Sequence, residues 1–590
     1  MVTLTFSHRR YLLAVAPLAA FALAACGSST GPSPGVPSCD VGEGVQLQPG
    51  DAVHYQGEAA EIVCVTAPGG GEYVLVAFAG NPSSGQGMGL AFRGENLVGP
   101  EAAPAIAAEA ATTDHDLGTA SALKDPVAPD LRAHDRLRAT ERRELARRVG
   151  APSGVGTALA APAILASLPE VGDLMTINTQ TSSACTNPRY RGGEVKAISE
   201  RAIVVADTLN PDGPGTFTDS HYEHFAATFD TLVAPLGEAN FGAHTDIDDN
   251  GRVILFFTQD VNRLSEPDSD TFVGGFFFAR DLFPREEDEE NGGRLSPCEH
   301  SNEAELLYLL VPDPDGEING NERDLEFLER ITVTTLTHEL QHLINAARRL
   351  LIVEVASSDW QEEVWLNEGL SHIAEELLFY RVSGFGPGQN LGSSDFSGNQ
   401  PAIDAYNRHQ IANTLRLREF LVRPDTTTPY NERDLLSTRG AMWHFLRYAL
   451  DRKGGNQATT LRQLVDSNST GIQNLSGAFG TQTDPLFRWF SDWAVAVYAD
   501  ERVSGTEDRY RDRSWNHRSM FSALNQGSSN SYPLRIRSLE NDQVLSESLK
   551  GGSAAYFRFA VQAGETGSVE ITSGQNSPPP GLRVTLMRVE

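Results

Sequence analysis

The pentapeptide His338-Glu339-Leu340-Gln341-His342 constrains this chain more than any other feature. It reads H-E-x-x-H and sits in a run whose apolar spacing predicts a helix over Leu325–Leu351. Two imidazoles four residues apart leave one face of a helix, one turn from each other. Neutral imidazoles so placed suit a single Zn2+ ion. Glu339, about 100° further round, is placed to reach a water held by the metal rather than the metal itself. The pattern therefore points to metal-assisted hydrolysis. With 14 His and 78 acidic residues in 590, only about 0.04 such motifs are expected by chance. The plainer reading is a helix with two incidental histidines on its polar face. Ile331, Val333, Leu336, Leu340, Leu343 and Ile344 bury the helix on most sides, however, and buried imidazoles without partners are costly.

A hydrolytic zinc centre needs a third protein ligand and an open position. The segment Trp365-Leu366-Asn367-Glu368-Gly369-Leu370-Ser371-His372 begins a second predicted helix, with Leu366, Leu370, Ile373, Ala374 and Leu377 on its apolar side. Glu368 is the candidate ligand. A carboxylate near a helix start is also favoured by the macrodipole without any metal. By residue type alone, Glu362, Glu363, Glu375, Glu376 and His372 remain alternatives.

H-E-L-Q-H followed by W-L-N-E-G-L-S resembles the gluzincin metallopeptidases, and the stretches 337–346, 365–369 and 241–252 resemble the hyicolysin-like members of that group. The resemblance covers roughly residues 168–500. It implies His338, His342 and Glu368 as zinc ligands, Glu339 as general base, and a polypeptide substrate cleaved by an endopeptidase. It also implies a zincin-like α+β catalytic domain, with a mixed-sheet lobe and a helical lobe. The 25 residues between His342 and Glu368 exceed the spacer of thermolysin-like and aminopeptidase relatives. Aminopeptidase-type members carry an oxyanion-stabilising tyrosine where this chain has Ser437; Tyr430, His444 and Tyr448 are the substitute donors within reach of that stretch. The alternative function is a catalytically impaired gluzincin-fold binding protein or a surface adhesin.

Composition narrows the setting. The formal charge of −31 excludes nucleic acid as a natural partner, because such a surface repels phosphate. Residues 1–25 read as a secretory leader: His8, Arg9 and Arg10, then an apolar run from Leu12 to Ala25 too short to span a bilayer. Leu23-Ala24-Ala25-Cys26-Gly27 resembles a bacterial lipobox, which implies cleavage before Cys26, a membrane partner through a lipid on that cysteine, and a place in the cell envelope outside the cytoplasm (the outer membrane in a Gram-negative host). Cys39, Cys64, Cys185 and Cys298 remain, an even number suited to disulfides; proximity favours Cys39–Cys64 and Cys185–Cys298 among the three connectivities.

Along the chain, residues 26–38 read as a flexible tether, 39–98 as a small β domain, 99–167 as an Ala/Pro-rich and partly helical linker, 168–530 as the metallopeptidase domain, and 531–590 as a second small β domain. The helical stretch Asp130–Val149 reads as a spacer, although an exported protease can use such a region as a prodomain. Asp246-Ile247-Asp248-Asp249-Asn250-Gly251 opens like a Ca2+ loop but has Phe257 where a calcium loop closes with Glu; an Asp/Asn-Gly turn explains it equally well.

Overall fold

The computed structural model describes residues 39, 43–99, 131–151, 168–267, 271–287, 293–355, 360–525 and 532–590. The leader, Cys26, the tether and most of the Ala/Pro-rich linker lie outside these residues. In chain order, the N-terminal strands are β1 (Ala52–Gln56), β2 (Ile62–Ala67), β3 (Gly71–Ala79) and β4 (Met88–Glu95), followed by helix α1 (Leu131–Glu144). The central part contains β5 (Leu174–Asn178), β6 (Tyr190–Ile198), β7 (Ala202–Asp207), α2 (Asp219–Thr228), β8 (Val253–Phe257), β9 (Gly275–Phe277) and β10 (Leu306–Leu309). Helices α3 (Leu325–Ala347), α4 (Val364–Ser383), α5 (Ile411–Leu421), α6 (Leu436–Lys453) and α7 (Thr483–Ala499) follow. Strands β11 (Arg537–Ser538), β12 (Val544–Leu549), β13 (Ala554–Val561), β14 (Glu565–Thr572) and β15 (Leu582–Arg588) close the chain. The α+β catalytic unit with β-rich flanks expected from the sequence is present.

The central sheet runs β5-β6-β7-β8-β10-β9. Strands β7, β8 and β10 are parallel, and β8 (VILFF) is buried along its whole length, as parallel strands covered on both faces require. Short β9 pairs antiparallel with β10 and forms the edge beside α3. Asp324 caps α3 by accepting from Phe327 N–H at 2.6 Å. Leu336, Leu340, Leu343 and Ile344 are then buried one turn apart, which fixes the rotation of the helix and so the direction of His338 and His342.

The helical half packs closely for a legible reason. A Cβ at Gly369 on α4 would lie 2.4 Å from the Met442 side chain on α6, and one at Gly440 on α6 would lie 2.2 Å from the Arg416 backbone on α5. Glycine at both points allows α4, α5 and α6 to approach near the centre.

The two β segments expected as separate modules pair with each other. The sheets run β1-β15-β3-β13-β11 and β12-β4-β14-β2. Every neighbour of an N-terminal strand comes from the C-terminal segment. Unpaired strands cannot satisfy their backbone groups alone, so each segment depends on the other. Alternation along β3 shows how this sandwich joins the helical half. Tyr73, Leu75 and Ala77 fill the sandwich interior, whereas Val74, Val76 and Phe78 join the core of the larger unit. Phe78 stacks on Phe490 of α7, and Tyr556 of β13 donates to the Ala494 carbonyl at 2.9 Å. The expected cysteine pairs both occur, with Cα separations of 6.0 Å for Cys39–Cys64 and 4.8 Å for Cys185–Cys298. Among the described residues, no helix is long and apolar enough to cross a membrane.

Candidate metal centre

His338 and His342 project from α3 towards Glu368 of α4. The two Nε2 atoms are 3.1 Å apart, and the Glu368 oxygens stand 3.4 Å from His338 Nε2 and 3.5 Å from His342 Nε2. Ligand atoms about 2.1 Å from a tetrahedral zinc stand roughly 3.4 Å from each other, so this spacing fits one ion. All three residues are buried.

Their neighbours fix which nitrogen is available. His338 Nδ1 lies 2.7 Å from Glu375 Oε1, and a carboxylate there selects the Nδ1–H tautomer. Ser371 Oγ donates to Gln341 Oε1 at 2.7 Å and stands 3.1 Å from His342 Nδ1 and 3.4 Å from His342 Nε2. His338 thus turns an Nε2 lone pair to the point that His342 Nε2 and Glu368 also face, an arrangement that suits a cation. Burial alone would lower the His338 pKa, but hydrogen bonds to Glu368 and Glu375 outweigh it and lift the value to about 10, so a proton takes the cation's part when no metal is bound. Burial would raise the Glu368 pKa, yet Arg439 and the two imidazoles hold its carboxyl well below the usual range. Arg439 Nη1 is 2.8 Å from Glu368 Oε2, and its Nε donates to Asp434 at 2.6 Å.

Glu339 is buried and accepts from Phe277 N–H at 2.9 Å. Strand β9 thereby orients one carboxylate oxygen. Asn345 Nδ2 donates to Asn367 Oδ1 at 2.6 Å and ties α3 to α4 beside the centre. Glu362 serves elsewhere, accepting from Gly471 N–H and Asn474; Glu376 accepts from Trp515. Glu363 precedes α4 as its N-cap residue. Glu375 and His372 lie on the far side of the His338 ring from Glu368.

The three donors considered for an oxyanion have other partners. Tyr430 donates to the Asn81 carbonyl at 2.7 Å, at the contact with the sandwich. Tyr448 donates to the Arg509 carbonyl at 2.6 Å. Trp493 donates to His444 Nδ1, so the His444 proton sits on Nε2 and goes to Asp512 at 2.6 Å. That tautomer also removes Nε2 from metal ligation, although His444, Asp512 and His517 lie close together. Arg439, in the stretch where the tyrosine was sought, is the group that reaches the centre. A search for tyrosine by type passes over it.

The Asp246 loop gains a third carboxylate from Glu305, just before β10. Thr245 donates to Glu305 at 2.6 Å, and Asp246 and Asp248 accept from Gly251 N–H and Asn250 Nδ2, so the loop is closed by its own hydrogen bonds. Burial, with repulsion by Glu305 on Asp248 and by Asp246 on Glu305, lifts Asp248 and Glu305 to about 7 each.

Two histidines and a carboxylate, all buried and converging on one point, form a donor set that could hold one metal ion. No family model matches the chain. Over 217 residues it is 28% identical to the neutral metalloprotease ShpI of Staphylococcus hyicus, a match that takes in 36% of this chain and 41% of that protein. The chain therefore spans about two fifths of the length of the curated relative it matches.

Proposed function

We propose that the chain is a zinc-dependent endopeptidase acting on polypeptides outside the cytoplasm. The observation that carries this reading is the pair of imidazole Nε2 atoms, that of His338 with its Nδ1 hydrogen-bonded away to Glu375, facing the ionised Glu368 beside Glu339. Similarity to a named metalloprotease supports it, and two disulfides suit an oxidising compartment.

In this mechanism His338, His342 and Glu368 hold Zn2+, which supplies a Lewis acid next to Glu339. Glu339 takes a proton from the attacking water and returns it to the leaving amine nitrogen. Phe277 N–H keeps its carboxylate in place for both transfers. Glu375 holds the His338 imidazole in the ligating tautomer, and Arg439 neutralises Glu368 in the absence of solvent. The edge of β9 away from β10 carries backbone groups, the Phe277 carbonyl among them, on which an extended polypeptide can pair.

The test is cleavage of an unfolded protein by the zinc-loaded chain beside its Glu339→Gln form. Cleavage by the first and a loss of about a thousandfold or more in the second support the reading. Equal rates reject it, as does no cleavage by either form with one zinc bound when helix α1 is also displaced by Leu137→Arg.

A further inference from the structure

Helix α1 belongs to a stretch whose sequence reads as a spacer, yet it buries charge beside the apolar Ala133 and Leu137. His134, Arg138 and Glu141, at i, i+4 and i+7, are all buried. Arg138 and Glu141 bond each other at 2.6 Å and then reach the edge strand: Arg138 Nη2 donates to the Phe277 carbonyl at 2.9 Å, and Glu141 Oε1 accepts from Ala279 N–H at 2.8 Å. The Phe277 carbonyl lies on the side of β9 away from β10, and Ala279 N–H lies two residues further on, at the start of the single helical turn that follows the strand. Phe277 N–H, on the same edge as its carbonyl, is the group that holds Glu339. A cleft reaches His342 here, and Arg138 and Glu141 form part of its wall.

We propose that α1 is an internal plug of the active-site cleft, in which the Arg138 and Glu141 side chains take the hydrogen-bonding positions that the backbone of an extended polypeptide occupies on β9. This rests on the endopeptidase reading for the identity of the displaced ligand. Two features make the plug releasable. Its polar grip is concentrated in side chains, with an apolar contact of Ala133 and Leu137 beside Val273 and Phe276. Its C-terminal end is held by few backbone bonds, Gly150 N–H to the Arg294 carbonyl and Ser296 N–H to the Arg148 carbonyl. A guanidinium already bound to a carboxylate and a carbonyl also argues against Arg138 as a free electrophile for the reaction.

Binding is read apart from catalysis. The full chain carrying Glu339→Gln, zinc-loaded, is titrated into a fluorescent unfolded peptide, alone and combined with Arg138→Gln/Glu141→Gln or with Leu137→Arg, which lifts α1 from its apolar side. Cleavage is measured in parallel with Glu339 restored. Both α1 variants are expected to bind the peptide about tenfold more tightly and to cleave it faster. Tighter binding with no cleavage by any form upholds the plug and rejects the peptidase reading. Unchanged binding overturns the plug, whatever the cleavage rate. Weaker binding, or cleavage lost with zinc and thermal midpoint retained, also overturns it and assigns Arg138 to the working site. Hydrogen exchange of the Glu339→Gln form needs no α1 variant. Saturating peptide should speed exchange of the α1 amides about tenfold or more, and undiminished protection overturns the proposal.

Discussion

Glu375 accepts a 2.7 Å hydrogen bond from His338 Nδ1 and lies seven residues beyond Glu368 on the same helix. Seven residues are two turns, so α4 presents both carboxylates on one face to opposite edges of one imidazole. Arg416 stands 3.2 Å from the second Glu375 oxygen. Glu375→Gln keeps the shape but removes the charge that selects the tautomer. Zinc affinity should fall about 10- to 100-fold, read by competition with a chelator. Unchanged affinity would show that packing alone orients His338.

Arg439 is buried between Glu368 and Asp434. Arg439→Met strands two buried carboxylates and should cost about 3–5 kcal/mol in the metal-free protein. Zinc bound to Glu368 restores part of the lost charge balance, so the loss of thermal stability should be smaller in the zinc-loaded form. Equal losses in both forms would contradict the electrostatic link.

The Asp246 loop gives a pH dependence of definite sign. Asp248 and Glu305 have folded pKa values near 7, above those of ordinary carboxyls, mainly through burial. Between the unfolded and folded values the native state binds more protons, so stability falls as pH rises towards and through 7. Asp248→Asn should therefore raise the thermal midpoint at pH 8 and leave it nearly unchanged at pH 4. A gain of equal size at both values would assign the effect to something other than ionisation.

The interleaved sandwich makes deletions severe. Removing 532–590 takes every neighbouring strand of the two sheets from β1, β2, β3 and β4 and opens the sandwich interior lined by Tyr73, Leu75 and Ala77. The shortened chain should unfold or aggregate, judged by circular dichroism and gel filtration. A folded, monomeric product of that deletion would contradict the strand pairing described above. It also follows that isolated 39–98 has no stable sheet of its own.

Much of the metal centre was legible because its parts are local. H-E-x-x-H is one helical turn, and Asn367-Glu368-Gly369 is another, with Gly369 explained by the 2.4 Å approach of Met442. Long periodic elements were legible too: the patterns of Val253–Phe257 and Leu582–Arg588 read as strands and coincide with β8 and β15, and the helical pattern of Asp484–Tyr498 falls one residue short of α7 at each end. Short or polar strands were not. β9 has three residues, and β12 (VLSESL) has one exposed and one half-polar face, so neither pattern stands out from a loop. Ala402–Val422 reads as one helix but breaks at Gln410 into two.

The sequence by itself determined which residues can bind a metal, because ligand type and helical spacing are properties of a few neighbouring positions. Tertiary structure decided what surrounds them. It brought Glu375 to His338, Arg439 to Glu368, Arg138 to the edge of β9, and the two ends of the chain into common sheets. Each of these contacts joins residues 37 to several hundred positions apart, where neither period nor propensity carries information and only the packing of whole elements selects the partner.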